Sequence, residues 1–165
     1  MVGYVVKMNR VDDTHGLAVF SRNYGQHLEA ARAIGNRDPI EPVVFRANKK
    51  WAAAEQELGR VGAMPIYFSP VGSEGQVEYI AELCGILFEP AEGSPETDSW
   101  LARVAPSTAD EGLWDPPAKM LYAIRACRRL KHPFPMTTLR LRTGKQIDAG
   151  FQYSYAIVAA IDNLD

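Results

Sequence analysis

The sequence predicts an α+β fold: a small, mostly antiparallel open β-barrel flanked by two or three helices. Three observations carry that expectation. About six short runs are rich in β-branched and aromatic residues, Gly- and Pro-rich turns join several of them at hairpin distance, and two segments of helix-forming composition lie among them. At 165 residues the chain suits one domain, 1–165, and can bury a core without disulfides or metal. The apolar share of 47% and charged share of 23% are those of an ordinary globular chain, which excludes disorder, collagen and a disulfide scaffold.

The elements follow in order. Residues 2–8 form a β-prone run, and Leu17-Ala18-Val19-Phe20 a second, ending in the polar turn Ser21-Arg22-Asn23. From Gln26 to Ile34 the spacing of Leu28, Ala31 and Ile34 predicts a helix, closed by Gly35-Asn36. After the loop 38–42, Val43-Val44-Phe45 reads as a strand. Ala47 to Leu58 reads as a second helix, with Asn48 as N-cap and Trp51, Ala54 and Leu58 on one face. Met64–Ser69, a turn through Gly72 and Gly75, and Gln76–Phe88 make an antiparallel hairpin. On its second strand Val77, Tyr79, Ala81 and Leu83 share one face, and Glu78, Ile80, Glu82 and Cys84 the other.

Residues 89–118 read as a long acidic loop with a short helix around 98–104 that carries Trp100; Trp114 sits further along it. Irregular segments of that length often serve as lids or binding loops. Met120–Leu130 is a strong strand, with Arg125 and Arg129 on one side and Arg128 on the other, broken by His132-Pro133-Phe134-Pro135. Leu139–Arg142 is a short basic strand, and Phe151–Ile161 is apolar enough to be a last strand or a closing helix.

Charge is unevenly spread beneath a net value of −2. Residues 1–50 hold eight Lys/Arg and five Asp/Glu, residues 51–118 hold two and twelve, and residues 119–147 hold eight and none. An acid-free basic block is the field that attracts a phosphate backbone. The alternative is that the acidic middle neutralises it within the fold.

Catalytic signatures are missing: no GxSxG, HExxH, HxE…CxxC, GxGxxG or phosphate loop occurs. The three histidines and the two cysteines, Cys84 and Cys127, lack ligand spacing, so no metal and no cofactor are expected. No apolar run reaches membrane-spanning length and the first ten residues lack signal-peptide order, so a cytoplasmic chain without membrane contact is expected. What stands out instead is a set of Trp and Tyr residues beside basic ones. Such aromatics stack on nucleobases at about 1–3 kcal/mol each while Arg and Lys hold the backbone. The competing reading is that each is core.

The segment Gly62-Ala63-Met64-Pro65-Ile66-Tyr67-Phe68-Ser69-Pro70, its Gly-rich turn and Val77-Glu78-Tyr79-Ile80-Ala81-Glu82-Leu83 resemble the central hairpin of PUA-like domains, with the EVE, YTH and ASCH branches the nearest. Trp51 matches the position of a Trp on the preceding helix. Phe20-Ser21-Arg22-Asn23 is similar to the first pocket wall of YTH and EVE domains, and Leu121-Tyr122-Ala123-Ile124 with its arginines to the closing barrel strand. The resemblance spans about residues 15–145 and has no counterpart for 89–118.

It implies a non-catalytic reader of nucleic acid, DNA in preference to RNA, that flips a modified base such as 5-methylcytosine into an aromatic pocket. Trp51, Tyr67, Trp100 and Trp114 are then the candidate pocket walls. Ser21, Asn23 and Ser69 are the candidate base-edge partners, and Arg125, Arg128, Arg129, Lys131, Arg140 and Arg142 the candidate phosphate contacts. Rival readings are an ASCH-type RNA binder, a small hydrolase using Glu78 or Glu82, and a structural subunit forming a homo-oligomer through 151–161.

Overall fold

Six strands form one mixed sheet in the order β2-β5-β4-β3-β1-β6 in the computed structural model, which describes residues 16–165. The strands are β1 (Leu17–Asn23), β2 (Val43–Ala47), β3 (Met64–Pro70), β4 (Gln76–Phe88), β5 (Met120–Pro135) and β6 (Tyr155–Ala159). Four helices accompany them: α1 (Gly25–Arg37), α2 (Ala52–Val61), and the short α3 (Pro95–Leu101) and α4 (Pro106–Glu111). Every ladder is antiparallel except β1–β3, which is parallel because α1, β2 and α2 intervene between the two strands. Among the described residues no ladder joins β2 to β6. The sheet is therefore open, and closure into the expected barrel is not seen. The expected strand 2–8 lies outside the described residues.

Both sheet faces are buried, which explains the near-continuous apolar runs of β1 and β3. One face packs α1 and α2 over Val19, Ile66, Phe68, Tyr79, Leu83, Tyr122 and Ile124. On the other, Phe20, Tyr67, Val77 and Leu130 are covered by Met136, Leu139 and Ile147, while Leu121 and Ala123 are covered by Trp100, Leu101 and Leu113. Along β4 the odd positions 77–83 are buried and the even ones half-exposed, but the irregularity between Val77 and Tyr79 turns Val77 to the face opposite Tyr79, Ala81 and Leu83, so the four expected together do not share a face.

Several expectations are corrected, each for a packing reason. Gly35 does not end α1. A Cβ there would stand 2.7 Å from the Cys127 carbonyl oxygen, so glycine lets the helix seat directly on β5. The second helix starts at Ala52 rather than Ala47, and Asn48 is not its cap; residues 43–47 are spent on the β2–β5 ladder. His132–Pro135 does not break β5, because Phe134 and Pro135 still pair with Val77 and Gln76. Ala126, at φ 53°, bulges the strand. Arg125 then falls opposite Glu82 and Arg128 opposite Ile80, while Arg129 falls opposite Tyr79, so Arg125 shares its side with Arg128 and not with Arg129. Leu139–Arg142 makes only isolated bridges, to Gln146 and Val158. The segment 89–118 holds two short helices where one was expected. The apolar terminal segment contributes a strand, β6, which fills a sheet edge with Ile157 and Val158 on opposite faces.

Candidate functional site

β1 and α1 join through Asn23-Tyr24, and this junction sits beside the end of β2 and the segment 152–154 that leads into β6. Between them opens a cleft of about 400 Å³, within the usual range for small-ligand sites. Its floor is aromatic. Phe45 and Tyr122 have ring centroids 5.7 Å apart, Tyr122 and Trp51 4.5 Å, and Trp51 stacks on Tyr155 at 5.4 Å with planes 22° apart. His27 extends the row, 6.0 Å from Phe45.

Hydrogen bonds hold these rings in place. Trp51 Nε1 donates to Ser154 Oγ at 2.8 Å, Ser21 Oγ donates to the Ser154 carbonyl at 2.8 Å, and Asn23 Nδ2 donates to the Tyr122 hydroxyl at 2.9 Å. The Tyr155 hydroxyl accepts the backbone N–H of Ala53, and His27 Nδ1 lies 2.9 Å from Ser107 Oγ, tying α1 to α4. Alternation along β1 puts Ser21 and Asn23 on the cleft side together.

Three cations line the cleft, Arg22, Arg46 and Lys49, and none of the described residues lining it is an acid. Arg46 is braced by the Gly112 and Pro116 carbonyls and Asn48 Oδ1. Among the described residues, two buried side-chain polar atoms have no hydrogen-bond partner: Arg22 Nε and Thr108 Oγ1. Both residues line this cleft. An unsatisfied buried polar atom costs roughly 1–3 kcal/mol, so the orphaned Thr108 hydroxyl at this concave site suits a place that receives polar atoms from elsewhere; Arg22 also lines a second hollow.

Of the seven pocket residues the sequence nominated, the structure brings three together here: Ser21, Asn23 and Trp51. The others lie elsewhere. Tyr67 is fully buried on the opposite sheet face, its hydroxyl accepting the Ile161 N–H at 2.8 Å. Ser69 is buried against Ser73. Trp100 packs over Gly85, where a Cβ would stand 2.9 Å from its ring. Trp114 sits in the 112–118 segment, bridged to Pro117. The sequence missed Arg46, Lys49, Thr108, Tyr122 and Ser154. The basic surplus of the first fifty residues was a usable signal for Arg46 and Lys49. The irregular 89–118 stretch was one for Thr108.

The basic block lies away from this cleft, and three of its eight basic residues are paired with the chain's own acids. Arg125 pairs with Glu82, Arg129 with Glu78 and Glu29, and Arg142 with Glu57 at 2.6 Å. Arg140 donates to the Gly144 carbonyl, and Arg128 to the Leu164 carbonyl. The Lys131 backbone N–H donates to the Asp165 carbonyl, leaving its exposed ammonium outward. The acids offered for hydrolysis, Glu78 and Glu82, are held in these pairs. Among the described residues no group of three or more His, Cys, Asp or Glu could hold a metal ion, and no helix is long and apolar enough to cross a membrane. Burial pushes the Cys127 thiol up to about 12, keeping it protonated and inert, and raises Cys84 as well. Scans against protein-family models, curated proteins and solved structures each return no match, so the functional reading rests on this geometry.

Proposed function

We propose that the chain binds nucleic acid and receives one base in the cleft between β1, β2 and residues 152–154. The observation that carries this reading is the coincidence of an aromatic floor, the orphaned Thr108 hydroxyl and a cationic, acid-free lining at one concavity. An aromatic row beside cations suits a π-faced, anionic polymer. Ser21, Asn23 and Thr108 supply groups for a base edge, the buried Trp51–Tyr122 row backs the cleft from below, and Arg22, Arg46 and Lys49 supply the phosphate contacts. In this reading the late arginines serve the fold first, and Arg128, Lys131 and Arg140 remain as a secondary phosphate track. The resemblance to PUA-like readers, and the barrel that goes with it, belongs to the same proposal and selects a modified base such as 5-methylcytosine in DNA.

Direct binding tests it. Labelled strands carrying cytosine or 5-methylcytosine, as single- and double-stranded DNA and as RNA, are titrated at two salt concentrations. A buried methyl group is worth about 0.8 kcal/mol, so the methylated strand should bind about fourfold more tightly. Asn23→Ala should weaken binding at least tenfold with the salt dependence unchanged. Lys49→Gln should lower the salt slope by about 0.7–0.9, the contribution of one phosphate contact. Absence of binding to every strand rejects the reading. Equal affinity for both cytosines rejects its modified-base part, and tighter binding of RNA shifts it to an RNA binder.

A further inference from the structure

The geometry points to Arg22 as a phosphate anchor at the mouth of the cleft: its guanidinium takes a phosphodiester flanking the inserted base, and the strand passes over it from one hollow into a second. This deepens the nucleic-acid reading and rests on it.

Arg22 is common to two hollows. Besides the cleft already described, it lines one of about 420 Å³ with Glu74, Gly75, Pro135, Met136 and Thr137. Alternation along β1 sets Arg22 on the sheet face opposite Ser21 and Asn23, the face of this second hollow.

Arg32, Arg37, Arg60, Arg125, Arg129 and Arg142 each hold a carboxylate, and Arg46, Arg128 and Arg140 donate to backbone carbonyls. Arg22 holds none among the described residues, and its Nε is buried with no acceptor. A guanidinium kept half-buried and unpaired is costly unless an anion completes it. Its planar fork matches the two free oxygens of a phosphodiester, which accept in parallel from Nε and a terminal nitrogen. Glu74 is the one carboxylate lining the second hollow; it forms no ion pair with Arg22 and is exposed, so it can turn to solvent as the phosphate arrives.

The test uses the whole chain and a nine-nucleotide DNA strand with a central 5-methylcytosine, single-stranded or duplex according to which binds more tightly. The strand is made intact, or with a neutral methylphosphonate replacing the phosphate on the 5′ or the 3′ side of that base. One neutral linkage should weaken binding to the wild-type chain about tenfold, and Arg22→Gln should weaken the intact strand about tenfold. The two losses should not add, so that Arg22→Gln binds the neutral and intact strands alike. Losses that add, or an Arg22→Gln chain that binds like wild type, overturn the anchor and leave the base cleft standing. A wild-type chain that binds no strand overturns both. Circular dichroism and thermal melting check the fold. If Arg22→Gln does not fold, Arg22→Lys, which keeps the charge but not the Nε donor, should show the same non-additivity at a reduced size, and additive losses again reject the anchor.

Discussion

Thr108 carries a hydroxyl that is buried, lines the cleft and bonds to nothing among the described residues. A residue selected for stability alone would be an isosteric valine there, because the transfer of an unpaired hydroxyl into the interior is unfavourable. Thr108→Val should therefore raise the stability of the fold by up to about 1 kcal/mol in a urea titration and lower affinity for the oligonucleotide in the same preparation. A variant that loses stability assigns the hydroxyl a structural bond instead. At this scale Ser21, Asn23 and Trp51 were nominated from the sequence through the resemblance, although the sequence reading put Trp51 within a helix and 21–23 in a turn, where the structure places them before α2 and at the end of β1. Tyr67, Ser69 and Trp100 were not separable from them. Each looks equally apt in one dimension, and only the sheet face it lands on decides between wall and core.

Among the elements, α1 and β5 meet through a glycine. Alanine is the better helix former by about 1 kcal/mol, yet at Gly35 a Cβ would stand 2.7 Å from a backbone oxygen and 2.9 Å from a backbone nitrogen of Cys127. Backbone cannot yield cheaply, so the clash wins. Gly35→Ala should destabilise the fold by about 1–3 kcal/mol. Gly59, inside α2 with open space around it, gives the opposite sign: Gly59→Ala should stabilise by roughly 0.5–1 kcal/mol. Paired denaturation curves read both, and equal shifts would mean that α1 does not seat on β5 as described. Glycine is an ambiguous stop signal for the same reason. At Gly62, with φ 83°, it ends α2 as the sequence rule expects. At Gly35 it permits a close approach in mid-helix.

Across the whole molecule, the basic and acidic blocks of the sequence are brought together by the sheet. Arg125, Arg129 and Arg142 take carboxylates from Glu82, Glu78 and Glu57 in the acidic stretch, each pair spanning a wide gap in the chain. Arg60 first, then Arg142, hold the Glu57 carboxyl below its ordinary range, and Tyr79 and Arg32 do the same to Glu29. A carboxylate with a lowered folded-state pKa contributes stability above the ordinary carboxylate range. That contribution is lost as pH falls through the lowered value. The protein should weaken on acidification through and below that range. Glu57→Gln should cost about 1 kcal/mol at neutral pH and make the acid limb of the stability profile shallower. A mutant profile parallel to wild type would show that these pairs do not carry the acid sensitivity.

The sequence by itself determined most of the strands and the hairpin, the alternating burial along β4, the mixed helix-and-strand class, the lack of known catalytic signatures and part of the cleft lining. All of these follow from residue type and spacing over a few positions, where the periodicity of a strand or helix leaves a direct imprint. Tertiary structure alone decided that the described strands form an open sheet, that β5 runs on through its prolines, that Arg125, Arg129 and Arg142 of the basic block are spent on ion pairs, and that the cationic cleft is lined by Arg22, Arg46 and Lys49. Those outcomes depend on which distant segments meet, and a charge or a ring has no fixed role until its partner across the fold is known.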